Sequence, residues 1–513
     1  MGAVVLAMAV SFVPTPAGAA GTAGAVRATT VAAPAAPAAP QAYQDISYPA
    51  GTIKHVVWVQ LENHTFDSIL GDYCTQVAKK AIVRAGADMG CNGEPIGTPV
   101  TMNDGQVLPT TTQGDIVPDV THQPLFQQRA WNNGLDNRWD EIPGCRSTNT
   151  PAFGCMTEVA AKAIPALSGL ANNYTVADNA RTYMGKVGMV ESAGDHLQTV
   201  TGGNLYGFEG AGPKNKTTGP GGVGEGCLSN LVAPWKKLLI PMCFAAFGLP
   251  SQDYTTRNPA SIGGEPAATA ATSTLVKDPN ALFREASAAG DSWVQFGSTA
   301  STWGTKGNFG FYWNVCQYWA SCILTDAEGA TPAEQFSTEA TQGTLPQISW
   351  LTPEVSGGNN SEHNEASMAF GDATLARQMN ALIHGPDWSS TVVFITYDDC
   401  GCFYDHVAPN RVPLVIVSPF AKSGYTDSTL GSFAGVDRFI EETFGLGCLW
   451  TDPSADKAGD CQAYDWSGSL VGSVAASTAR DPVAPALLPL VAVPASSHAF
   501  LKDVPSPIGG DES

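Results

Sequence analysis

The strand-like apolar runs along this chain are continuous rather than alternating. Residues 53–61 (IKHVVWVQL) form a β-branched, apolar run long enough for one buried strand, and polar Glu62-Asn63-His64-Thr65 follows at once. Residues 391–397 (TVVFITY) make a second run, closed by Asp398-Asp399, residues 412–417 (VPLVIV) a third, and 348–351 a weaker fourth. Continuous apolar runs suit strands covered on both faces, as in a parallel sheet, whereas strands with one wet face alternate. Helical spacing appears between them, over 366–383 and 436–444. Strands alternating with helices, with polar residues at the strand ends, predict an open α/β sheet whose ligands bind outside those ends.

The rest of the pattern divides the chain. Residues 1–19 read as an export signal: 3–13 are apolar and Ala17-Gly18-Ala19 has the small residues of a cleavage site, although no Lys or Arg precedes Arg27. That apolar run is too short to span a bilayer. Residues 20–48 read as a flexible linker. The sheet domain is expected over 49–202 and 344–450, with the Gly/Ser/Thr-rich stretch 203–343 as a loop-rich insertion or cap. Residues 451–513 read as a cysteine-anchored, then Pro/Ala-rich tail. Its apolar stretch 487–493 is interrupted by Pro489 and cannot be a helix or a stable membrane anchor.

Composition narrows the function classes. With 43% hydrophobic and 14% charged residues the chain is globular, and its 54 Gly and 36 Pro imply many loops. A formal charge of −21 repels nucleic acid and anionic membranes at long range, so neither is a primary partner. An anionic substrate is still compatible, because a bound cation inverts the local field. Of the 12 cysteines, ten form near-neighbour pairs: Cys74/Cys91, Cys145/Cys155, Cys227/Cys243, Cys316/Cys322 and Cys448/Cys461. Local disulfides in an oxidising compartment explain these best, and the competing zinc reading lacks a CxxC pair.

The polar clusters at the strand ends carry the chemistry. Glu, Asn and Asp offer hard oxygen ligands for a divalent metal ion, and adjacent carboxylates repel each other unless a cation sits beside them. Taken alone, Asp398-Asp399 would equally suit the cap of a turn. The surrounding words decide otherwise. Glu62-Asn63-His64-Thr65-Phe66-Asp67 resembles the ENxxFD signature of the bacterial phospholipase C/acid phosphatase family. YDDCGCFYDHV at 397–407 is similar to its DDxGGxYDHV motif. RVPLVIVSPFAKSG at 411–424 and FIEETFGL at 439–446 are similar to its closing run.

This resemblance spans residues 53–446 in order. It implies an alkaline phosphatase-like, doubly wound and mostly parallel α/β sheet, and a secreted hydrolase of phosphate esters. It implies one divalent metal ion, held by Glu62, Asn63, Asp398 and Asp399, with Asn63 also touching the substrate phosphate. The family's S/T-x-P-N-H/R nucleophile segment aligns with Ser192-Ala193-Gly194-Asp195-His196, which makes Ser192 the candidate nucleophile, forming a phosphoserine. A helix N-cap is the alternative role for Ser192. His122, in HQPLFQQRAWNNGLDNRW, and His363, in Ser361-Glu362-His363, match histidine segments of the family and are expected to bind phosphate and move protons. Asp405 and His406 are expected to support the loop behind them. The chain departs from the pattern at Cys400-Gly401-Cys402, where the family has WGG, and at Ser432–Gly435. Were those changes to abolish catalysis, a secreted binding or cell-envelope protein on the same fold would be the alternative.

Overall fold

The computed structural model describes residues 51–78, 90–117, 119–146, 152–184, 189–190, 192–206, 232–235, 238–241, 280–297, 319, 330–352, 360–454, 457–471 and 488. The expected export signal and linker lie outside the described residues, as do the cysteine pairs 227/243 and 316/322.

Eight strands build one sheet: β1 (His55–Leu61), β2 (Thr175–Ala177), β3 (Trp293–Gly297), β4 (Ala330–Pro332), β5 (Ile348–Leu351), β6 (Thr391–Tyr397), β7 (Leu414–Val417) and β8 (Tyr425–Asp427). Their order is β4-β3-β5-β1-β6-β7-β2-β8. Only β7 runs against the others, pairing antiparallel with β6 and β2. The α/β reading of the apolar runs is met at all four, with β1 and β6 at the dry centre, where Val56 to Val59 are at most 1% exposed. The 412–417 run begins as a strand only at Leu414, because Pro413 has no N–H for the ladder.

The helices are α1 (Pro124–Trp131), α2 (Pro165–Asn173), α3 (Ser192–Gln198), α4 (Leu282–Ala289), α5 (Ala333–Gln342), α6 (Met368–Ile383) and α7 (Phe433–Phe444). Helix α6 starts at Met368 because the Ser367 hydroxyl accepts the Phe370 N–H, the usual N-cap bond. Its buried Asp372 also accepts the N–H groups of Ala166 and Leu167 at 3.0 and 2.9 Å, so a carboxylate from one helix caps the first turn of α2. Helix α7 ends at Gly445, whose φ of 70° is the left-handed C-cap that glycine adopts cheaply.

The stretch 203–343 differs from its reading as an insertion. Strands β3 and β4 and helices α4 and α5 come from it, and β3 pairs in parallel with β5 inside the main sheet. Short strands of this kind sit among Gly and Ser residues that mask their periodicity. Residues 457–471 likewise join the main core: Trp466 is fully buried and Leu470 bridges to Ala421. Disulfides link Cys74–Cys91, Cys145–Cys155 and Cys448–Cys461, three of the expected local pairs.

The loops after β1 and β6 are held together by a buried guanidinium. Arg411 Nε donates to both Asp405 oxygens at 2.9 Å, Nη2 to Asp67 at 2.9 Å, and Nη1 to the carbonyls of Asn92 and Asp178. The Phe66 ring lies 4.4 Å beneath it. His406 adds its own ion pair to Asp67. Burial alone would raise Asp67, but the His406 hydrogen bond and the Arg411 charge hold it below its ordinary value. Burial would likewise lower His406, and Asp67 raises it instead.

Removing Arg411 leaves two carboxylates buried without their counter-charge. Arg411→Leu is expected to lower unfolding free energy by about 3–5 kcal/mol in urea denaturation, and unchanged stability would refute the clamp. The pH dependence has two limbs. The raised His406 contributes stability that is complete below 6.5 and lost as pH rises through its higher folded value. The lowered Asp67 contributes stability present above 3.8 and lost as pH falls through its folded value. His406→Asn is therefore expected to flatten the alkaline limb of a melting-temperature profile and to shrink the acid limb, which the Arg411 charge on Asp67 then sustains without the His406 hydrogen bond.

Candidate active site

Parallel pairing sets the geometry. β1 and β6 run in register from His55 opposite Thr391 to Leu61 opposite Tyr397, so the next residues leave the sheet side by side. Glu62-Asn63 thereby meets Asp398-Asp399, and the Asn63 N–H donates to Asp398 Oδ1 at 2.7 Å. All four are at most 1% exposed. The turn after Asp399 presses close: a Cβ on Gly401 would stand 2.1 Å from the Asn63 carbonyl oxygen, so only glycine fits.

Ser192 opens helix α3 against this pair. Its N–H and its hydroxyl both donate to Asp399 Oδ2, at 3.0 and 3.1 Å, and Oγ lies 3.4 Å from the Asn63 amide. The N-cap alternative is therefore not what the hydroxyl does here: it bonds to a carboxylate across the site. Gly401 N–H holds the other Asp399 oxygen at 2.7 Å. The Asn63 amide is satisfied with its nitrogen facing Asp398 Oδ1 (3.3 Å) and Asp399 Oδ1 (3.0 Å) and its oxygen 2.8 Å from His363 Nε2.

Both expected histidines arrive. His122 Nδ1 donates to the Val120 carbonyl at 2.8 Å, which turns Nε2 toward Asp399 Oδ2, 4.0 Å away. Gln127, one turn into α1, ties the His122 carbonyl to that of Val190, just ahead of Ser192. His363 Nδ1 donates to the Asn364 carbonyl, and its ring centre is 6.1 Å from that of His122. His363 is half-buried while Ser192 and His122 are buried, so the His363 side is the more open one. Asp405 and His406 lie in the Arg411 cluster instead, bracing the loops that carry the site.

The sequence reading missed His196. It stands four residues after Ser192, so one helical turn brings it to the same region. Its Nε2 is 3.4 Å from Glu62 Oε1 and 3.8 Å from Asp398 Oδ2. Glu62, His196 and Asp398 each offer a ligand atom, all within 4.8 Å of one another. Of the four expected ligands, Glu62 and Asp398 thus join this trio, while Asn63 and Asp399 face Ser192 and His363. The signal was legible, because His196 occupies the last position of the nucleophile motif.

The residues present fit a divalent metal ion. Two carboxylates and one imidazole form a mixed O/N donor set suited to such an ion. Burial lowers His196 to about 4, so the ring is neutral near pH 7, the form in which an imidazole ligates a metal ion. Asp399 is pushed up to about 7 by burial and by the neighbouring Asp398 charge. Neither Asp398 nor Asp399 pairs with a lysine or arginine among the described residues, so the excess negative charge calls for a cation.

Comparison with known proteins places the chain in a family. The Phosphoesterase family model matches residues 53–447. Phospholipase C A of Mycobacterium tuberculosis (strain H37Rv) is 22% identical over 413 residues, covering 78% of this chain and 68% of that protein. The non-hemolytic phospholipase C of Burkholderia pseudomallei is 30% identical over 153 residues, 23% of this chain and 21% of that protein. Among solved structures, a protein in the alkaline phosphatase superfamily from Vibrio parahaemolyticus is similar over 80% of this chain and 70% of that chain, at 9% identity and a TM-score of 0.34. Because the family model runs from the first sheet strand through the last helix and takes in every residue of the site, the chain belongs to the Phosphoesterase family and is a hydrolase of phosphoric ester bonds.

Proposed function

We propose that this protein is a secreted phosphoesterase of the phospholipase C/acid phosphatase type, in which Ser192 is the nucleophile and a phosphoserine forms on the way to product. The observation that carries this reading is the Ser192 hydroxyl, 3.1 Å from Asp399 Oδ2 and beside the Glu62–His196–Asp398 trio. A serine hydroxyl is a weak nucleophile unless a base or cation acts on it, and here a buried carboxylate already holds its proton. Export is supported by the three disulfides, which persist in oxidising compartments. No helix among the described residues is long and apolar enough to cross a membrane.

Glu62, His196 and Asp398 would hold a single divalent ion, with Asp399 and Asn63 at its edge. Such an ion supplies Lewis acidity, drawing electron density from a phosphoryl oxygen and favouring the ionised serine. The chain's own residues do the rest. Asp399 orients the Ser192 Oγ and takes up its proton as the oxygen attacks phosphorus in line. Asn63 and His363 stand where hydrogen bonds to a phosphoryl oxygen can form. His122 or His363 gives a proton to the leaving alkoxide, and water then releases phosphate from Ser192.

The names of the relatives make a lipid phosphodiester the first substrate to assay, beside a chromogenic phosphomonoester. Ser192→Ala is expected to lower kcat about a thousandfold or more while metal content is retained. Rapid acid quench of the wild type should trap phosphate on the peptide containing Ser192. Near-normal turnover in the alanine variant, or label on another peptide, would overturn the assignment.

Chelation is expected to abolish turnover, and added divalent ion to restore it. His196→Ala should weaken metal affinity by more than the about 10–100-fold that loss of an outer partner costs. If titration shows unchanged affinity, His196 is not a ligand.

A further inference from the structure

The two cysteines that separate this chain from the motif it resembles have no part in the reading above. Cys400 and Cys402 are both free and buried, with their sulfurs 3.7 Å apart. The turn between them is tight: φ is 49° at Gly401 and 48° at Cys402, a left-handed conformation that a cysteine adopts only at a cost. The Cys402 N–H donates back to Cys400 Sγ at 3.0 Å, folding that thiol over the turn. The pair packs in a small apolar cluster with Trp139, Met156 and the Cys145–Cys155 disulfide.

The same turn holds the catalytic carboxylate. Gly401 N–H donates to Asp399 Oδ1, and Asp399 Oδ2 in turn holds Ser192. A disulfide needs its sulfurs at about 2.05 Å, well inside their present 3.7 Å separation. With a single residue between the cysteines, whatever part of that closure the two side-chain rotations do not take up falls on the Gly401 backbone, which already lies against Asn63. Cross-links that strain the backbone have more oxidising potentials and are the reversible ones.

We propose that Cys400 and Cys402 are a reversible dithiol–disulfide site, and that its oxidation draws the Gly401 N–H away from Asp399 and lowers turnover. The reactant is a low-molecular-weight disulfide such as oxidised glutathione. When the turn opens, one cysteine thiolate attacks that disulfide, releasing one glutathione and leaving a mixed disulfide. The second cysteine then attacks the protein sulfur of the mixed disulfide and releases the other glutathione. The protein pair loses two electrons and two protons, which appear as the two glutathione thiols. The loss of turnover rests on the roles given above to Asp399 and Ser192, while formation of the disulfide does not.

The test uses the full chain in glutathione buffers poised from reducing to oxidising. Free thiols are alkylated after acid quench, the 400/402 peptide is weighed, and turnover is measured in parallel. The expected result is reversible loss of alkylation at both cysteines, with turnover falling about tenfold or more, since misplacement of a catalytic group by ~1 Å costs up to a hundredfold. Cys400→Ser/Cys402→Ser should keep constant turnover across all buffers, with an unchanged circular dichroism spectrum. If that double variant folds poorly, Cys402→Ala alone serves the same purpose. Full alkylation in the most oxidising buffer would overturn the proposal, and so would a cross-link that persists in the most reducing one. A reversible disulfide without effect on turnover would refute the coupling to Asp399 and leave the Ser192 reading to the phosphate-trapping experiment. Equal redox sensitivity in the cysteine variants would assign the effect to the other disulfides and overturn the proposal as well.

Discussion

A dry, parallel, in-register pair of strands that ends in carboxylates is the constraint on which this structure turns. β1 and β6 are buried on both faces, so whatever follows Leu61 and Tyr397 leaves the sheet at one point and in a region poor in water. Here that residue is Glu62 on one strand and Asp398 on the other. Burying two such groups together is strongly unfavourable unless a positive charge or several donors meet them. Much of the surrounding structure can be understood as the supply of those partners.

The fold answers this demand in two ways within a few residues. Behind the site, Asp67 and Asp405 share the guanidinium of Arg411, a permanent cation with donors enough to satisfy both. Asp67, Asp405 and His406 also approach one another closely enough to suggest a metal site, but Arg411 already occupies that role. In front, Glu62 and Asp398 are met by His196, neutral near pH 7, and Asp399 by His122 and by N–H groups. The first arrangement is rigid and structural. The second leaves carboxylates that a divalent cation could meet, which separates a brace from a candidate active site built of the same residue types.

Preorganisation follows from the same contacts. Asp399 is held by three donors from two elements, Ser192 N–H and hydroxyl on one oxygen and Gly401 N–H on the other. Its carboxylate therefore has little freedom, and neither has the hydroxyl that it orients. Gln127 joins the His122 and Ser192 segments through two carbonyls, so the loops approach the strand ends as one unit. Anything that shifts the turn at Gly401 is passed directly to Ser192, because no soft side chain lies between them.

Much of this was legible in the residues themselves. The four apolar runs became strands because unbroken burial on both faces demands an unbroken apolar code, and the acids at their ends became the site because polar residues cannot continue into a dry sheet. Ser192, His122 and His363, read from their motifs, lie around Asn63 and Asp399, and three local cysteine pairs are joined. What the chain alone could not reveal depends on partners distant in sequence. β3 and β4 are short and set among Gly, Ala and Ser residues, and they become strands because β5 offers a ladder to β3 and β3 offers one to β4. The roles of Asp405, His406 and Arg411 needed Asp67, more than 300 residues away, brought alongside. His196 was in plain view, but its service to Glu62 and Asp398 rather than to Ser192 is decided by the turn of α3 and the register of β1 with β6. Local pattern determines which segments are buried and which residues are reactive. Only tertiary packing decides which buried charges face one another, because the Coulomb energy that sets their roles depends on separation in space and not on position along the chain.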